Sequence, residues 1–131
     1  MRLFLLLFLL LPAHGARAAL GETRKEVHAR YQNIIFGERQ TTTKKSLFEQ
    51  FRFREWTVSV IYVDDQSVEE SFSEIATRES ALKLLRELHP DAEWKEDQGD
   101  AKRSTWKSGV FTATYGERKL KIAINGVATG R

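Results

Sequence analysis

Two histidines outside the N-terminal leader, His28 and His89, and three pairs of adjacent carboxylates, Asp64–Asp65, Glu69–Glu70 and Glu96–Asp97, are the residues whose types could carry proton transfer or bind a cation. Nucleophilic catalysis needs a nucleophile, a base within hydrogen-bond reach and a group that orients the base. Serines are plentiful, but none sits in a Gly-x-Ser-x-Gly turn. His28 lies among charges on a helical segment, and His89 lies in the last turn of another, where the helix dipole favours a cation. Adjacent residues of a strand point to opposite faces, so Glu69 and Glu70 do not converge on one substrate. Asp64–Asp65 reads as turn chemistry. "EDQGD", residues 96–100, lacks the alternating oxygen donors of a twelve-residue calcium loop. With no cysteine anywhere, thiol catalysis and disulfides are excluded. These residues predict no catalytic set, no metal and no cofactor.

Aromatic side chains alternate with arginine in "FEQFRFREW", residues 48–56, a pattern that could stack bases. A small disulfide-free domain needs that apolar area for its core, so Phe51, Phe53 and Trp56 are expected to pack inside. Trp94 and Trp106 flank a polar, partly acidic connection, and Tyr115 lies in a strand segment beyond it. Because interfaces are enriched in Trp, Tyr and Arg, Trp94, Trp106 and Tyr115 are expected to include a partner-facing residue.

The elements that must position these side chains follow from periodicity. Met1–Arg2, nine consecutive Leu and Phe residues from Leu3 to Leu11, and Pro12 before a stretch of small residues have the layout of a secretory signal peptide. Ala16 and Ala18 supply small side chains for a cut before Ala19, giving a signal segment over 1–18 and a single domain over 19–131. Nine apolar residues cannot cross a hydrocarbon core, which takes about 20. Loss of Arg2 and Arg17 leaves 19 basic against 18 acidic residues, a net charge of +1. Such a balance argues against nucleic acid as the partner. Without a cysteine at the junction to carry a lipid, the product is expected to be soluble, periplasmic or secreted, with no membrane span.

Within the remaining 113 residues, Thr23 and Glu26 have capping-box spacing ahead of a first helix that carries Val27 and Tyr31 on one face. Ile34–Ile35–Phe36 reads as a short apolar segment ended by Gly37, and "ERQTTTKKS" as a surface loop or frayed edge. Period-two patterns then predict three strands, in "LFEQFRF", in "WTVSVIYV" and through Val68, Glu70 and Phe72. Thr77 opens a second helix with Ala81, Leu82, Leu84, Leu85 and Leu88 at helical spacing, ended by His89–Pro90. Three further strands follow, the last two joined by Gly116–Glu117–Arg118, with glycine supplying the turn dihedral. The expected fold is α+β in αβββ–αβββ order, two helices packed on one side of an antiparallel sheet.

"GETRKEVHARY" followed by a meander with an Asp-containing turn resembles the G-x-T-x-x-E-V helix and hairpin of the SmpA/OmlA and beta-lactamase-inhibitor-like group of exported bacterial proteins. It is also similar to small exported proteins built on the same plan. The chain lacks the lipidated cysteine of the lipoprotein members. The resemblance implies an exported, non-enzymatic protein that binds a partner, a protein or an envelope component, through a sheet face and loops. A small periplasmic enzyme or inhibitor is the alternative.

Overall fold

The computed structural model describes residues 20–31, 33–40, 46–97 and 102–127. The signal segment and its junction at Ala16, Ala18 and Ala19 lie outside the described residues, as does residues 41–45 of the expected loop.

Local signals set the helix ends. Thr23 Oγ1 accepts the Glu26 amide at 3.2 Å while Glu26 Oε1 accepts the Thr23 amide at 2.9 Å, a complete capping box that starts α1 (Arg24–Arg30). Thr77 caps α2 (Arg78–Leu88) through the Ser80 amide, and His89 and Pro90 end it. Among the described residues no helix is long and apolar enough to cross a membrane.

The first half continues as β1 (Asn33–Gln40), β2 (Ser46–Phe53), β3 (Trp56–Val63) and β4 (Gln66–Ser73). The second half continues as β5 (Lys95–Asp97), β6 (Ser104–Ser108), β7 (Phe111–Gly116) and β8 (Lys119–Ile124). All eight form one antiparallel sheet in the order β1-β2-β3-β4-β8-β7-β6-β5, so two four-stranded meanders meet at β4 and β8.

The αβββ–αβββ plan is therefore overturned, and with it the helix-on-sheet α+β reading. About half of the described residues lie in a single eight-stranded sheet, and both helices among them are short. Two strands escaped the pattern for physical reasons. β1 runs through Gly37 to Gln40, and its pairing with β2 shifts register between Ile34 and Phe36 and again between Phe36 and Arg39, which destroys a clean period of two. β5 is three exposed charged residues held by pairing to β6, with no apolar face to advertise it.

Turn chemistry also needs correction at one place. Asp64 and Asp65 both have positive φ in a two-residue hairpin turn, as do Glu117 and Arg118. Gly116 does not supply that dihedral; it is the last residue of β7.

Two rows of side chains cross the apolar face of the sheet. Phe51, Val58, Phe72 and Leu120 stand opposite one another in turn, and so do Val60, Glu70, Ile122, Ala113 and Trp106. Val27 and Tyr31 of α1 and Ala81, Leu84, Leu85 and Leu88 of α2 complete one core cluster with them. Each large side chain so buried contributes about 1.5–3 kcal/mol.

Candidate functional site

Of the three expected partner-binding residues, Trp106 is only 2% exposed and belongs to the core, with the Arg78 guanidinium 5.2 Å above its ring. It cannot face a partner. The Tyr115 hydroxyl donates to the Ile75 carbonyl at 2.7 Å, fastening the segment before α2 to β7. Trp94 is half-buried, edge-on to His89 at 5.8 Å between ring centroids, and His89 in turn lies 5.7 Å from Phe111. Trp94 and Tyr115 are partly buried against the same core cluster that holds Trp106.

The histidines and carboxylates are placed as structural ties. Glu49, on the same strand face as Phe51, is 1% exposed. His28 Nε2 lies 2.8 and 2.9 Å from its two oxygens, and Arg24 Nε donates to it at 3.1 Å. Burial pushes the Glu49 pKa up, but the contacts from His28 and Arg24 outweigh it and hold the carboxyl below its ordinary range. A carboxylate orienting a histidine is half of a catalytic triad, yet among the described residues no hydroxyl is hydrogen-bonded to that ring. Arg30 bridges Glu22 and Glu70, and the Tyr31 hydroxyl donates to Glu70 at 3.3 Å. Glu70 is fully buried, and desolvation raises its pKa against the pull of Arg30 and Tyr31. His89 is pulled down to about 4, first by burial and then by the charge of Arg30, so its ring is neutral at physiological pH. Among the described residues no group of three or more His, Cys, Asp or Glu could hold a metal ion.

The chemistry on the opposite face of the sheet is different. Gln50, Ser59, Ser71, Lys121, Thr114 and Thr105 stand in register across six strands, a polar row behind the apolar ones. Gln50 Nε2 donates to Ser59 Oγ at 3.1 Å within it. Where this row crosses β4, β8 and β7 the surface opens into a groove of about 510 Å³. Ser71, Thr114 and Lys121 form its floor, and Lys102, Arg103 and Lys119 stand around it, with Glu117 the one carboxylate in its lining.

Backbone geometry holds the two sides of the groove together. Lys102 and Arg103 pass directly over Gly116, where a Cβ would lie 3.3 Å from the Lys102 carbonyl oxygen and 3.8 Å from the Arg103 Cβ. The absent side chain lets the segment before β6 approach β7 and bring its two cations beside those of β8. The sequence shows no basic run here, because Lys102–Arg103 and Lys119–Lys121 are contributed by separate segments. The available signal was Lys119 and Lys121 at i and i+2 in "KLKI", which puts both on one strand face. Glu49 and Glu70 were legible in the same way, as single carboxylates on apolar faces. Compared with protein-family models, with curated proteins and with solved structures, the chain matches none.

Proposed function

We propose that this chain is an exported, non-enzymatic binding protein that holds an anionic envelope component in the groove on the polar face of its sheet. One observation carries the reading: three lysines and an arginine from two separate segments converge on an open groove floored by two hydroxyls, with one opposing carboxylate. A groove whose lining holds more cations than carboxylates, in a domain of net charge +1, concentrates anions from solution. The leader-like N-terminus and the resemblance to exported binding proteins support the compartment and the absence of catalysis. The ligand is held by ammonium groups at the ends of flexible stems and by hydroxyls presented on rigid strands.

The test is retention of residues 19–131 on phosphocellulose with elution by salt. Lys119→Gln/Lys121→Gln should elute well before the wild type, whereas Lys25→Gln/Lys83→Gln, which removes the same charge from exposed helix positions, should elute closer to it. Equal displacement of the two variants would reduce the groove to non-specific charge and refute the proposal.

A further inference from the structure

The groove also specifies what kind of anion it fits. We infer that its ligand is a linear phosphate polymer, recognised through successive phosphates rather than through any group between them; this rests on the anion-holding reading above.

Three features of the lining lead there. The first is the row Ser71–Lys121–Thr114, in which an ammonium stands between two hydroxyls on neighbouring strands. Strands lie about 4.8 Å apart, so one anion above Lys121 can meet the ammonium and a hydroxyl together. A phosphate presents acceptor oxygens in several directions around one charge and can take both contacts at once. A carboxylate has two coplanar oxygens, suited to the planar fork of arginine, and the lining holds one arginine against three lysines.

The second is repetition. Lys119 and Lys121 are two residues apart on one face of β8, about 7 Å along the strand. Lys102 and Arg103 add two more cations across Gly116. A single orthophosphate cannot span this set, whereas a chain of phosphates engages several of its members together and gains from effective concentration.

The third is what the lining lacks. None of its residues is aromatic or aliphatic, so it offers no platform on which a base or sugar ring could stack. It is also built on central strands of the sheet, where β4, β8 and β7 are already paired on both sides, so no strand edge is open to a peptide backbone. An acidic polypeptide would find charges to match but nothing for the rest of its chain.

The experiment is calorimetric titration of residues 19–131 with linear polyphosphate, with poly-L-glutamate of the same number of charges, and with orthophosphate, all at one ionic strength. Polyphosphate should bind at least tenfold more tightly than poly-L-glutamate and about a hundredfold or more tightly than orthophosphate. Thr114→Val, which keeps side-chain shape and removes the hydroxyl, should narrow the preference for polyphosphate over poly-L-glutamate. Lys121→Gln should weaken both polymers. Poly-L-glutamate binding as tightly as polyphosphate would overturn the inference and identify an acidic-protein site. Orthophosphate binding as tightly as the polymer would overturn it in favour of a compact anion. If none of the three bound, the anion-holding function itself would fall, and this inference with it.

Discussion

Arg30 reaches across the core to Glu70, Nη2 donating to Oε2 at 2.8 Å, and this carboxylate is fully buried on the central strand of the sheet. Two ions removed from water repay their desolvation only while both are present. Glu70→Ala should therefore destabilise the domain by about 3–5 kcal/mol in urea unfolding. The apolar replacement Arg30→Met/Glu70→Leu, with Tyr31→Phe so that no hydroxyl is orphaned, should recover at least half of that loss. An equal loss in both would mean that the network itself supplies the stability.

His89 gives a pH dependence of defined sign. Its pKa is about 4 in the folded protein, below the ordinary histidine value of 6.5, so the unfolded chain takes up the proton first as pH falls. The stability tied to its neutral ring is complete above 6.5 and is lost progressively toward 4. The raised pKa of Glu70 acts in the opposite sense, so the comparison is with His89→Phe, which keeps a ring against Trp94 and Phe111. Relative to that variant, the wild type should lose up to about 2 kcal/mol between pH 6.5 and 5. Parallel stability curves over that window would contradict the burial of a neutral His89.

The turn between β7 and β8 is strained by its residues. Glu117 and Arg118 have φ of 52° and 64°, a left-handed conformation that costs most residues about 1–2 kcal/mol each. Glu117→Asn/Arg118→Gly supplies the residues this turn prefers and leaves the backbone bond from the Ile75 amide to the Arg118 carbonyl intact. The urea midpoint should rise, with a stabilisation of about 1 kcal/mol. A fall would show that the side chains do more than occupy the turn.

Gly116 governs the approach of the two sides of the groove. In Gly116→Ala the new methyl would meet the Lys102 carbonyl oxygen at 3.3 Å, and backbone must give way by a few tenths of an ångström. Overpacking of this kind costs about 1–3 kcal/mol. Because the atom displaced belongs to the segment carrying Lys102 and Arg103, polyphosphate affinity should fall several-fold while the circular dichroism spectrum is unchanged. Unaltered affinity would show that these two cations need no fixed position.

What the sequence revealed depended on how regular each element is. The capping box at Thr23 and Glu26, the apolar stripe of α2 and the alternation of "WTVSVIYV" were legible because each repeats a local rule over several residues. β1 is masked by two register shifts, and β5 by its brevity and charge, so each half holds one strand more than its periodicity predicts. The site was harder still. Trp94, Trp106 and Tyr115 drew attention by residue type, yet Trp106 is a core anchor and Tyr115 spends its hydroxyl on Ile75. The groove is assembled from Ser71, Lys102–Arg103, Thr114 and Lys119–Lys121, and their convergence is a consequence of the order β4-β8-β7-β6, which no local pattern encodes.

The salt dependence of polyphosphate binding tests most directly whether the groove cations hold the ligand. Each cation that neutralises a phosphate releases condensed counterions, so the slope of log affinity against log salt counts the contacts, at about 0.7 per contact on a single chain. The wild type should show a slope near −2, for roughly three contacts, and Lys119→Gln/Lys121→Gln a slope shallower by about 1.5. The charge-matched variant Lys25→Gln/Lys83→Gln should keep the wild-type slope. If that variant flattens the slope as much as the groove variant does, or the groove variant leaves it unchanged, the ligand is not held where this account places it.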